Sequence, residues 1–131
     1  MTPQELIHLA KEAMQQSYSP YSGYAVGAAL LCADGTVYTG CNIENAAFSP
    51  TVCAERTAFF KAVSDGHRDF TAMAVCGGKN GNIQSIFPPC GVCRQVMREF
   101  CKDDFTLYLA GANDTYETCT LADLLPKSFS L

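Results

Sequence analysis

Residues 25–33 read Ala-Val-Gly-Ala-Ala-Leu-Leu-Cys-Ala, an almost unbroken apolar run with no polar alternation. A strand wetted on one face alternates apolar with polar positions, whereas a strand covered on both faces reads as continuous. The run therefore predicts a buried strand in a sheet that carries helices on both sides. It is too short to span a membrane, which takes about 20 apolar residues, and no other stretch approaches that length. Asp34-Gly35 is a hairpin turn signal, and residues 36–41 are the returning strand.

The flanking segments supply the covering helices. Thr2-Pro3 opens a helix with Glu5 in its first turn, running to about Ser17 with an apolar stripe of Leu6, Ile7, Ala10, Ala13 and Met14. Residues 19–23 read as a loop. A long loop spans residues 42–51, and loops of this length in compact domains are often functional. A second helix is expected over residues 52–64, closed by Asp65-Gly66, then a strand over 70–76 and a Gly/Asn-rich loop over 77–82. Pro88-Pro89-Cys90-Gly91 leads into a third helix ending near Phe100, followed by strands at 105–109 and 116–120 and a short helix at 121–125. The order α-β-β-α-β-α-β-β-α predicts a three-layer α/β/α sandwich around a mixed five-stranded sheet, because one hairpin feeds crossover units that favour parallel pairing. A chain of 131 residues is expected to form one domain.

Charge and cysteine content narrow the partners and the compartment. Nine Lys and Arg against 13 Asp and Glu give a net charge of −4, and the basic residues are scattered. A nucleic-acid surface needs a basic stripe to replace phosphate counterions, so such a partner is disfavoured. The eight cysteines invite a disulfide reading, but the polar opening Met1–His8 lacks the apolar core of an export signal. The expected location is the reducing cytoplasm, where closely spaced cysteines more often serve metal binding or catalysis.

Two short motifs carry the chemistry. In Cys90-Gly91-Val92-Cys93 the thiols stand at i and i+3, close enough on a helix to share one ion. With Cys90 just ahead of the helix and Cys93 in its first turn, the helix dipole favours both as thiolates. Alone, this pair fits half a zinc site, a thioredoxin-like redox pair or coincidence equally well. Cys53-Ala54-Glu55 adds the discriminating element. In mid-helix, residues two apart point about 200° away from each other. At a helix start both can address a target beyond the helix end. Two such tips facing each other would gather Cys53, Cys90 and Cys93 around one tetrahedral ion. Zinc suits thiolates, and three protein ligands leave a fourth position for water, with Glu55 beside it as a proton carrier.

Cys-Ala-Glu followed by Pro-Cys-x-x-Cys resembles the zinc-dependent nucleoside deaminases, in which a glutamate that is not a ligand acts as general acid and base. The segments Tyr21–Ala29, Gly40–Ala46, Cys53–Ala58, Pro89–Gln95 and Leu124–Pro126 together resemble the small homotetrameric cytidine deaminases, in register along the whole chain. The resemblance implies one zinc ion per subunit on Cys53, Cys90 and Cys93, with Glu55 as the proton carrier. It implies hydrolysis of cytidine and 2′-deoxycytidine to uridine and 2′-deoxyuridine with release of ammonia, a step of pyrimidine salvage. Three thiolates outweigh a dication, so a neighbouring cation is needed; Arg56 resembles the family arginine that bonds the ligand sulfurs, and Arg94 is a weaker choice. By the same resemblance Asn42 and Glu44 hold the ribose hydroxyls, Tyr24 lies against the base and the Ala54 backbone contacts the pyrimidine. Phe129 resembles a C-terminal phenylalanine that reaches the base from a neighbouring subunit, which would make the active site composite and the tetramer necessary. Two positions depart from the usual pattern: Tyr24 stands where Phe is common, and Phe48 where Tyr is common.

The remaining residues have plainer readings. Cys32, Cys41, Cys76, Cys101 and Cys119 are expected to pack as small hydrophobes. His8 pairs with Glu12 on the polar face of the first helix, and His67 is expected to be a solvated turn residue. A blasticidin-type deaminase shares the length and the zinc motifs, but the ribose segment Asn42-Ile43-Glu44-Asn45 favours a nucleoside. A thioredoxin-like protein would need a proline facing the cysteine pair, and after Cys93 there is only Pro126.

Overall fold

The computed structural model describes all 131 residues. Its centre is β1 (Tyr24–Cys32), flanked by β2 (Val37–Cys41) and β3 (Phe70–Lys79), in a five-stranded sheet of order β2-β1-β3-β4-β5 with β4 (Thr106–Ala110) and β5 (Tyr116–Thr120). Only β3 and β4 pair in parallel; the other three pairings are antiparallel. Since β1 is antiparallel to both neighbours, β2 and β3 run the same way with β1 inserted between them. Both helical crossovers thus join co-directional strands, giving the expected mixed sheet.

The two faces are covered unequally. Residues Val26, Ala28, Leu30 and Cys32 of β1 join Met73, Val75, Leu107 and Leu109 beneath α2 (Ala54–Ser64), α3 (Gly91–Phe100) and α4 (Leu121–Leu124). Phe59 is the largest fully buried side chain there, stacked 6.2 Å from Phe100 and edge-on to Phe70 at 5.1 Å. The opposite face offers Ala29, Ala72 and Ala74 to Leu6, Ile7, Ala10 and Met14 of α1 (Pro3–Met14). Small residues let α1 sit close: a Cβ on Gly27 would stand 2.0 Å from the Ala10 carbonyl oxygen. A strand sandwiched in this way has no wetted face, which is why its sequence does not alternate.

Boundaries differ in two informative places. Helix α1 stops at Met14 rather than Ser17, and the Ser17 hydroxyl bonds the Asn42 side chain instead. Strand β3 runs through Gly77 and Gly78 to Lys79, where a loop was expected from residue 77. Gly77 pairs with Val26 and Gly78 with Ala25. Glycine is required because neighbours fill the space of a side chain: the Phe87 ring lies 3.0 Å from a Cβ on Gly77, and the Asn82 carbonyl oxygen 1.9 Å from one on Gly78.

Candidate metal centre and substrate cavity

Helices α2 and α3 start beside each other at the same end of the sheet, and each is capped by a cysteine in extended conformation. Cys53 caps α2 and Cys90 caps α3, with Cys93 in the first turn of α3. The Cys93 N–H donates to Cys90 Sγ at 3.5 Å, so the thiol does the work of a capping oxygen. Sulfur separations are 3.7 Å for Cys53–Cys90 and 3.5 Å for Cys90–Cys93, and all three sulfurs lie within 4.8 Å of one another. Zinc–sulfur bonds of about 2.3 Å in a tetrahedron place sulfurs about 3.8 Å apart, so the trio fits that ion. A third thiol from another helix makes this a trio rather than an isolated redox pair.

Charges around the trio are organised for an ion and a proton. Arg56 Nη2 donates to Cys53 Sγ at 3.4 Å. The Cys53 thiol is held well below its ordinary value, first by a hydrogen bond from Cys93 and then by Arg56 and Cys90, against the opposing effect of burial. Cys93, the donor in that pair, is pushed up by the same bond and by burial. Burial alone would depress Arg56, but hydrogen bonds to Cys53 and Cys93 hold it fully charged. Glu55 is 3% exposed, and burial pushes its carboxyl up to about 7. Its Oε1 atom has no hydrogen-bond partner, which leaves a buried acceptor aimed at chemistry rather than at the fold.

Cys53 and Cys90 line one end of a cavity of about 310 Å³, with the buried Cys93 behind them, and Ala54, Glu55 and residues of four other segments complete the lining. One wall carries Asn42 and Glu44, which β2 delivers as it leaves the sheet. Asn42 is buried: its Oδ1 accepts from the Val26 N–H at 2.9 Å and from the Ser17 hydroxyl, and its Nδ2 donates to the Tyr24 carbonyl at 2.7 Å. Glu44 Oε1 accepts from the N–H groups of Tyr21 and Ser22 at 2.9 and 3.0 Å, and Oε2 from the Ser22 hydroxyl. Those bonds, the Ser22 hydroxyl first, hold its carboxyl below the usual range. Both polar groups are thus fixed in place by the loop they close.

The opposite wall is aromatic. The Tyr24 ring lies 6.0 Å from Phe87 at a tilt of 38°, with Lys79 Nζ 5.1 Å from its centroid. Lys79 also donates to the Ser22 carbonyl at 2.9 Å, which ties this wall to the Glu44 turn. Phe87, Pro88 and Val52 line the cavity but were not singled out from sequence. A signal for Phe87 existed, since a large aromatic stands three residues before Cys90 and directly before two prolines.

Other expected residues lie elsewhere. Phe129 is 69% exposed, outside this chain's cavity, and its carbonyl accepts from Gln95 Nε2 at 3.3 Å. Arg94 turns away from the sulfurs and donates to the carbonyls of Pro89 and Leu124, both at 2.7 Å, fastening α3 to α4. His8 meets Glu12 at 2.8 Å as expected. His67 is not simply solvated: its side chain is only 23% exposed and packs edge-on to Tyr38 at 5.2 Å.

Comparison with known proteins adds the chemistry of relatives. Residues 1–109 match the family described as the cytidine and deoxycytidylate deaminase zinc-binding region. The cytidine deaminase of Sporosarcina psychrophila is 53% identical over 130 residues, covering 99% of this chain and 93% of that one. The crystal structure of cytidine deaminase from Burkholderia pseudomallei superposes with a TM-score of 0.91 at 43% identity, covering 98% of this chain and all of that one. The blasticidin-S deaminase of Bacillus cereus is more distant, 30% identical, covering 96% of this chain and 91% of that protein.

Proposed function

The chain belongs to the cytidine and deoxycytidylate deaminase family, and from that premise we propose that Glu55 moves the protons of a hydrolysis whose substrate is a free nucleoside. It is a zinc-dependent hydrolase that converts cytidine and water to uridine and ammonia; 2′-deoxycytidine is the second substrate we assign to it. The carrying observation is the partnerless, buried Glu55 oxygen beside three gathered thiols, two of which line the same cavity as Glu55.

Cys53, Cys90 and Cys93 would hold the zinc ion, and Arg56 offsets the negative charge of the sulfurs. When bound, zinc acts as a Lewis acid that brings the pKa of water toward about 7. Glu55 accepts one proton of the attacking water and delivers it to ring N3, then takes the second from the hydroxyl now on C4 and passes it to the departing amino nitrogen, leaving the C4 carbonyl and ammonia. One carboxyl can serve every transfer because each donor and acceptor comes within its hydrogen-bond reach in turn. Asn42 retains a free N–H on Nδ2 for a ribose oxygen, and Glu44 a free lone pair for a ribose hydroxyl. Tyr24 and Phe87 form the wall against which the base lies, above the Ala54 backbone. Zinc-loaded protein is expected to turn over cytidine, followed by the loss of ultraviolet absorbance, far faster than blasticidin S. The reverse order would reassign the substrate.

Truncating Phe87 to Ala removes the neighbour that orients Tyr24. An aromatic pair of this kind contributes about 0.5–1.5 kcal/mol, so KM for cytidine is expected to rise about 3–10-fold with kcat nearly constant, the pattern of lost uniform binding. Steady-state kinetics on the variant decide this.

We assign the protein to a homotetramer acting in pyrimidine salvage in the cytoplasm. No helix is long and apolar enough to cross a membrane. Phe48, Val92 and Phe129 are 69%, 58% and 69% exposed, and large apolar side chains left this open support coverage by other subunits. Light scattering is expected to give four chains per particle. Phe129→Ala is expected to raise KM for cytidine while the assembly persists, since the ring would contact base rather than hold the interface. A fully active monomer would overturn both assignments.

A further inference from the structure

We propose that Cys32, Asp34 and His67 form a second zinc site, at the end of α2 opposite the three-thiol centre. The three come from separate segments: the last residue of β1, the hairpin turn and the loop between α2 and β3. Their ligand atoms all lie within 4.8 Å of one another. Helix α2 has 11 residues, or about 16 Å of axis, between this cluster and Cys53. The deamination described above makes no use of it.

The chain holds each ligand ready. The tight hairpin, with Cys32 N–H donating to the Thr36 carbonyl at 2.8 Å and Gly35 N–H to the Cys32 carbonyl at 3.0 Å, brings Cys32 and Asp34 together. Asp34 Oδ1 accepts from the Thr36 N–H at 3.0 Å, and Oδ2 is the oxygen nearest His67. The His67 backbone N–H donates to the Ala62 carbonyl at 3.0 Å at the end of α2, and its ring rests edge-on to Tyr38, whose hydroxyl bonds Asp65. The carboxylate is thus held by a backbone hydrogen bond within the hairpin turn, as metal-ligating carboxylates are, and the imidazole is held by its packing on Tyr38.

The spacing favours an ion over an ordinary contact. Asp34 Oδ2 stands 3.8 Å from His67 Nδ1, too far for a hydrogen bond. A tetrahedral zinc ion with bonds of about 2.0–2.3 Å separates its ligands by about 3.3–3.8 Å. Side-chain rotations of about 1 Å close the remaining gap to Cys32, which is buried with its thiol facing the pair. One sulfur, one nitrogen and one carboxylate oxygen suit zinc among the common cations. Asp34 is 60% exposed on the outer side, where water supplies the fourth ligand. The ion would pin the β1–β2 hairpin to the end of α2.

The test is metal content of the zinc-loaded protein after titration with zinc and removal of excess. Two zinc ions per chain are expected for the parent and one for His67→Ala, whose deamination of cytidine should match the parent. Cys32→Ser should also bind one, but it alters a fully buried position, so the variant at the half-buried His67 is the primary readout. Cobalt added to the parent carrying one zinc per chain should give a sulfur-to-cobalt charge-transfer band that His67→Ala, loaded the same way, lacks. Starting from one zinc per chain, the thermal midpoint of the parent should rise with further zinc while that of His67→Ala stays constant. One zinc per chain in the parent, or a cobalt band that survives in His67→Ala, overturns the proposal. Loss of deamination in both proteins would instead strike the reading of the first site.

Discussion

Glu55→Gln is expected to keep the fold and bind zinc at the parental ratio while cytidine turnover falls on the order of 10³-fold or more. The amide has the carboxyl's shape but cannot exchange a proton, and general acid–base groups contribute about 10²–10⁴-fold. Here one group serves every transfer, so the loss should reach the upper part of that range. A second effect runs the other way. Burial, then the Cys53 thiolate, pushes the Glu55 carboxyl from 4.5 up to about 7. Between those values the folded state holds a proton that the unfolded state has lost, so this group makes stability fall as pH rises from about 4.5 to about 7 and level off above. The full cost is about 3 kcal/mol. Metal-free Glu55→Gln should therefore exceed the metal-free parent in stability by about that amount at pH 8, and differ little at pH 4.5. Urea unfolding at the two pH values measures it. Identical pH profiles would mean that the carboxyl titrates normally and is not tuned for proton transfer.

The same burial explains which parts of this site could be read from the chain. Cys53 and Glu55 stand two apart, a spacing useless along a helix flank and useful only at a tip; the structure places Cys53 at the cap and Glu55 in the first turn of α2. The continuous apolar run at 25–33 likewise has one economical meaning, and β1 is covered on both faces. The position of Phe87 beside the Cys-x-x-Cys motif marked it, but its packing on Tyr24 could not be read locally, because it depends on Gly77, ten residues earlier, lacking a side chain, and on β3 continuing through a pair of glycines that read as a loop. Asn42 and Glu44 look like ordinary loop residues one at a time. Their meaning lies in bonds to Val26, Tyr24, Tyr21 and Ser22, which only the folded chain brings within reach. His67 follows a Gly in a turn, and nothing nearby in sequence announces the Tyr38 ring that covers it.

A helix tip can hold an ion only if the helix itself is held, and Gly40 is where that is decided. A Cβ at Gly40 would stand 2.4 Å from the Ala54 carbonyl oxygen, 2.6 Å from the Ala58 nitrogen and 3.0 Å from Thr57 Cβ. Two of those three are backbone atoms of α2, so no side-chain rotation relieves the clash. Gly40 is paired with Ala28 in the sheet, so β2 cannot retreat either. Gly40→Ala must therefore lift the first turns of α2 by about 1 Å, and Cys53 and Glu55 move with them. Overpacking costs typically 1–3 kcal/mol, and contact with backbone on both sides puts this case at about 3 or above. Misplacement by about 1 Å costs on the order of 10²-fold in rate, so kcat should fall that far even in the folded fraction, with weaker zinc retention. Gly66→Ala separates this from simple backbone strain. Gly66 has φ +96° with nothing within 4 Å of a Cβ, so the substitution should cost about 1 kcal/mol and leave kcat unchanged. Urea midpoints, zinc per chain and kcat on the two variants give the comparison. If Gly40→Ala behaves like Gly66→Ala, the close approach of β2 and α2 does not set the geometry of the metal centre.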